Sequence, residues 1–182
     1  MLEQFWLFHC GFIRVPRPAF VAGGALDFPR LPFLAALVHH PDEGPVLIDA
    51  PFGREGYNNL GALIGTLAKT AGLRFEQDWS VNARIEQLGY RPSEVEHVCM
   101  THLHSDHTGG IMELPRATVH VCRTEWEHAV DLEGMAAVTE GYQPDDFRAL
   151  SDRVELFDAP ELIDEEDGGG LDLFGDGSIR VV

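Results

Sequence analysis

Apolar positions along the chain fall into short runs separated by turn chemistry. Gln4 to Val15 is rich in aromatic and β-branched residues and predicts a strand. Phe33 to His39 and Pro45 to Asp49 are two further apolar runs. Pro41-Asp42-Glu43-Gly44 between them is turn chemistry, so they read as a hairpin. Pro16 to Pro32, with four prolines and the Gly23-Gly24 pair, predicts a loop. Leu60, Leu63, Ile64 and Leu67 recur at helical intervals and predict a helix over Leu60 to Ala71. Val81 to Leu88 predicts a second, with Ser80 as its cap and Gly89 as its stop. Val95 to Met100 reads as a strand running straight into Thr101-His102, and Ala117 to Cys122 as another. Thr124 to Val130 predicts a helix capped by Thr124, and past Asp131 the pattern weakens. Arg153 to Phe157 and Ser178 to Val182 are strand-like, separated by an acidic, glycine-rich stretch that reads as a solvated loop.

The 182 residues suit one domain, read as 1–182. No apolar run approaches the ~20 residues of a membrane helix. Met1 to Phe12 carries Glu3 and has no basic leader region, so it reads as strand rather than signal peptide. Thirty acids against 13 bases give a formal net charge of −17, a field that repels phosphate backbones and argues against nucleic acid as a partner. Cys10, Cys99 and Cys122 are odd in number and widely spaced, so they imply no disulfide framework and read as buried thiols in a cytoplasmic protein.

The chemistry concentrates in Thr101 to Gly110, T-H-L-H-S-D-H-T-G-G. Three histidines and an aspartate fall within six residues directly after a predicted strand. Neutral imidazole and carboxylate are good ligands for zinc and related divalent metals. Residues two apart on an extended segment point the same way, so His102 and His104 can grip one ion. The chain must then turn before Asp106 and His107 reach a second point, and the glycines that follow permit a tight path or close approach at a helix head. Four such residues on one loop make two half-sites. Other histidines read as structural: His39-His40 as an exposed pair, His97 as exposed or hydrogen-bonded, His120 as a sheet histidine or a cleft-lining one. Phe5, Trp6, Phe8 and Phe12 read as core, and Trp126 as packing.

This segment resembles the H-x-H-x-D-H signature of the metallo-β-lactamase superfamily. Val46-Leu47-Ile48-Asp49 resembles the strand ending in Asp that precedes the motif in that family, and Thr118 to Trp126 resembles the next segment of lactonase-like members. The resemblance implies an α/β fold, an αββα sandwich of two mixed sheets with helices outside, and two zinc ions. His102 and His104 would bind the first ion, and Asp106 and His107 the second. Asp106 would also orient the nucleophile and pass a proton to the leaving group, and Asp49 would hold the motif loop from behind the ligands. His104 stands where the iron-dependent branch usually has glutamate, which favours zinc hydrolysis. The family's later histidines and bridging aspartate are missing, since no histidine follows His128 and the chain stops within a strand-like segment. The expected domain is therefore the N-terminal portion of the sandwich with the C-terminal part missing.

The resemblance implies a hydrolase that attacks a lactone or ester carbonyl, like N-acyl-homoserine lactonases. Its partner would be a small-molecule substrate, with no nucleic acid and no membrane, and a homodimer as a further candidate. A thioesterase resembling hydroxyacylglutathione hydrolase is the alternative within hydrolases, although the single lysine, Lys69, offers little for anionic glutathione. A non-catalytic fragment is the alternative outside them.

Overall fold

The computed structural model describes residues 4–19, 21–54, 72–158 and 171–181. The helix expected over Leu60 to Ala71 lies outside these residues. Strands β1 (Gln4–Arg14) and β2 (Arg30–His40) pair antiparallel, with a shift in register between His9 and Phe12. Gly11 lies at this bulge with φ +143°, and a Cβ there would meet the Arg74 carbonyl oxygen at 2.8 Å. The predicted hairpin follows: β2 turns back as β3 (Gly44–Ile48), antiparallel to it.

Three more strands then add in parallel, β4 (His97–Cys99), β5 (Thr118–Cys122) and β6 (Val154–Phe157). The resulting six-stranded mixed sheet has its strands in chain order, β1 to β6. Parallel neighbours need crossovers. The first carries α1 (Val81–Gln87), the second the short α2 (Ser105–Thr108), the third α3 (Arg123–Val130) and α4 (Gly134–Glu140). Leu37, Leu47, Val98, Val119 and Val121 of the sheet form one core with Val81 and Ile85 of α1 and with Phe147 and Leu150 beyond α4. Parallel strands are covered on both faces, which is why β5 buries His120 as well as its valines. Over His120 lies a short antiparallel pair, β7 (Leu171–Asp172) and β8 (Arg180–Val181). Phe174 between them packs on the rings of His40, His97 and His120. The α/β class read from the sequence is thus present. Among the described residues the second sheet is represented by β7 and β8.

Local expectations fared unevenly. Ser80 caps α1 as expected, accepting the Ala83 N–H at 3.2 Å, and Gly89 follows the helix with φ +92°. Thr124 is not a cap: α3 starts one residue before it, with Cys122 at the N-cap position. β2 begins at Arg30 rather than Phe33, because pairing of Arg14 with Arg30 and Ile13 with Leu31 outweighs the loop character of its prolines. Helix α4 leaves no apolar stripe in the sequence, because Ala137 is its only buried residue. Trp6 and Phe8 pack on the core, but Phe5 is 60% exposed. His40 is buried rather than exposed, with Nε2 2.9 Å from Asp176 and Nδ1 accepting the Asp42 and Glu43 N–H groups. No helix among the described residues is long and apolar enough to cross a membrane.

Phe147 has no exposed surface and its ring stands 5.7 Å from that of Trp126. Phe147→Ala should therefore lower stability by about 3–5 kcal/mol. Urea unfolding checks this, with the midpoint falling and the slope unchanged.

Candidate metal centre

The loop after β4 takes its shape from the end of β3. Asp49 is the one non-glycine residue, among those described, with left-handed backbone (φ +59°). There the chain leaves β3 and is laced to the motif: Asp49 N–H to Cys99 O at 3.1 Å, Ala50 N–H to His107 O at 2.8 Å, and Gly110 N–H to Ala50 O at 2.8 Å. The Asp49 carboxylate accepts the Thr101 N–H on one oxygen at 2.9 Å. On the other it accepts the Thr101 hydroxyl and meets His107 Nδ1, each at 2.8 Å. The glycine pair serves close approach. A Cβ on Gly109 would lie 2.6 Å from the Pro51 carbonyl oxygen, and one on Gly110 2.6 Å from the Val81 side chain.

This frame brings the motif side chains together. One ligand atom from each of His102, His104 and Asp106 falls within 4.8 Å of the others. The His102 ring centroid is 4.6 Å from that of His104 and 4.0 Å from that of His107. His107 Nε2 stands 3.7 Å from the Asp106 carboxylate. The grouping differs from two separate pairs, since Asp106 stands with the first two histidines as well as beside His107. Asp49 accepts a hydrogen bond from a His107 protonated on Nδ1, and in that neutral tautomer Nε2 carries the lone pair. His102 Nδ1 lies 3.1 Å from the Thr101 hydroxyl oxygen, which in turn donates to Asp49.

Electrostatics divide the three imidazoles. Burial, reinforced by the neighbouring His107 and His104, lowers the pKa of His102 and keeps it neutral with its lone pair available. Burial also opposes charge on His107, but the Asp49 hydrogen bond and the charges of Asp49 and Asp106 outweigh it and raise its pKa. Two imidazoles and a carboxylate converging beside a third imidazole are a donor set that fits a divalent cation of borderline softness.

A further set of contacts grips the loop from the opposite side. The Glu125 carboxylate accepts the N–H of Leu103, between the two histidines, at 2.8 Å, and the Tyr142 hydroxyl at 3.1 and 3.3 Å. Tyr142 sets its ring edge-on to His104, with centroids 4.8 Å apart, and Ser105 N–H donates to Gly141 O at 2.9 Å. Burial and the Glu125 charge push the Tyr142 hydroxyl up to about 12, so it stays a donor. Asp146 is buried, 3.1 Å from the Thr108 hydroxyl, which also reaches His104 O at 3.3 Å. Glu125 stood in the quoted lactonase-like segment without a role, while Tyr142 and Asp146 carried no local signal. The other histidines gather elsewhere. His97 and His120 hydrogen-bond to each other at 2.9 Å, flanked by Glu43 and Glu155. His128 pairs with Glu140 at the surface, and its ring stands edge-on to Tyr142. Cys10 and Cys99 are buried, and burial raises their thiols to about 12 and about 11, so neither is reactive.

The family model of the metallo-beta-lactamase superfamily matches residues 35–181, and the chain belongs to that superfamily. Among curated relatives, an N-acyl homoserine lactonase of Rhizobium johnstonii is 29% identical over 160 residues, 88% of this chain and 57% of that protein. A probable metallo-hydrolase of Mycobacterium tuberculosis is 37% identical over 94 residues, 52% of this chain and 30% of that protein. The chain thus spans well under two thirds of the length of either. Among solved structures, Bacillus thuringiensis AiiA with N-decanoyl-L-homoserine bound superposes with a TM-score of 0.69 at 19% identity, covering 90% of this chain and 63% of that one. The dizinc lactonase AidC superposes with a TM-score of 0.60 at 13% identity, covering 91% and 62%. These likenesses show the fold.

Asp146 yields a pH prediction. Burial raises its pKa from 3.8 to about 7, against the opposing hydrogen bond from Thr108. An acid whose pKa rises on folding holds its proton more tightly when folded. Its contribution is full below pH 3.8 and is lost as pH climbs through about 7. Asp146→Asn should therefore match the parent near pH 4 and exceed it in stability above pH 7, read from denaturation midpoints across pH.

Proposed function

We propose that this chain carries the metal-binding half-sites of a zinc-dependent hydrolase that opens a lactone or ester. The convergence of His102, His104 and Asp106, with His107 beside them, carries the reading. Residues 1–182 act in it as one domain. His102 and His104 would hold one ion, and Asp106 and His107 the other. Tetrahedral zinc asks for more donors than these four supply to two ions. Bound zinc would supply Lewis acidity, acidifying water and polarising the carbonyl.

The protein's own part is positional and acid–base. Asp49 fixes the tautomer and angle of His107, and with Thr101 it anchors the segment that carries His102. Glu125 and Tyr142 hold the backbone and ring at His104. The Asp106 carboxylate takes the proton released by the attacking water and returns it to the leaving alkoxide. The lactonases among the relatives support a lactone in particular, through the likeness that covers 88% of this chain.

Two measurements test the reading. Zinc titrated into the purified chain should bind measurably, and that binding should fall on His104→Ala, together with hydrolysis of N-acyl-homoserine lactones. Failure to bind zinc, or lactone turnover indifferent to His104→Ala, would reject it. Asp49→Ala should weaken zinc binding by about 10–100-fold, followed by competition with a chromogenic chelator.

A further inference from the structure

A different cluster of charge lies at the end of the β1–β2 ribbon. Arg14 and Arg30 occupy directly opposed positions on the two strands. Like charges facing each other across a strand pair are destabilising. A third guanidinium joins them. Arg74 is tied to β1 by two backbone hydrogen bonds with Phe12, of 3.0 and 2.8 Å, and Gly11 leaves room for that approach. Arg14, Arg30 and Arg74 line one cleft of about 200 Å3 with Phe12 and Gly72.

The chain has many more acids than bases, yet among the described residues none answers these three. Arg17, Arg54, Arg91, Arg116 and Arg123 each hold a carboxylate. Asp27, on the loop joining β1 to β2, is engaged by Arg17 through two hydrogen bonds of 2.7 and 2.6 Å. Among the described residues no carboxylate lies within ion-pair distance of Arg14, Arg30 or Arg74. The Arg30 guanidinium instead rests 4.8 Å above the Phe12 ring, a cation–π contact that fixes its place beside the cleft. Planar guanidinium groups present paired N–H donors that match a carboxylate.

The cleft also has an apolar continuation. A second hollow of about 440 Å3 shares Phe12 and Arg30 with the first and adds His9, Gly11, Pro32 and Trp79. We propose that the two together bind a small amphipathic carboxylate, its head among Arg14, Arg30 and Arg74 and its apolar body along Phe12, Pro32 and Trp79. A polyanion does not suit the site, because the surrounding charge of −17 repels an extended one.

Sodium octanoate, titrated calorimetrically into the purified chain at constant low ionic strength, tests this. Saturable binding is expected, weakened by about tenfold or more in Arg14→Gln and in Arg30→Gln and unchanged in His102→Ala. Octanol, which lacks the charge, and inorganic phosphate, which lacks the body, should both bind more weakly. The proposal is overturned by absence of octanoate binding, by parental affinity in both arginine variants, by loss of binding in His102→Ala, or by octanol or phosphate binding as tightly as octanoate.

Discussion

The carboxylate of Asp49 is the contact on which the centre depends. It ends β3, yet three of its partners' atoms belong to the loop after β4, so it joins two segments some fifty residues apart in sequence. A buried carboxylate needs partners, and the motif supplies them as two groups of Thr101 and the ring of His107. The cost of burying that charge is thereby converted into a fixed position for the loop. The left-handed backbone at Asp49 serves the same purpose, turning the chain so that Ala50 can exchange hydrogen bonds with His107 and Gly110. Weakening this junction would leave every ligand present but none of them aligned.

Much of the architecture was legible because it is local. The β2–β3 hairpin is written in two apolar runs around Pro41-Asp42-Glu43-Gly44, and α1 in its serine cap and glycine stop. The four motif residues were legible as a group because their spacing after a strand leaves few other readings. What stayed hidden depends on distant partners. Tyr142 meets His104 only because α4 returns the chain to the motif, and nothing around Tyr142 announces that. His40 looked exposed beside a turn, but Asp176 and Phe174, far along the chain, cover it. Phe5 looked like core by its chemistry, and the surface it occupies is not set by local sequence.

Charge is distributed with the same economy. A strongly acidic chain concentrates imidazoles in one place and tunes them apart, the pKa of His102 lowered by burial and that of His107 raised by two carboxylates against burial. The arginines at the far end of the β1–β2 ribbon are the counterpoint, a locally cationic spot in an anionic molecule.

The order of strands in the sheet has a bearing on how the molecule comes to exist. Each of the six strands lies beside the one synthesised just before it. A chain emerging from the ribosome can therefore lay down its sheet progressively, one edge at a time, without reserving a gap for a later arrival. The loop between β4 and β5 acquires neighbours on both flanks as soon as β5 docks. The grip of Glu125, Gly141 and Tyr142 on that loop is added only when the chain beyond β5 returns to it.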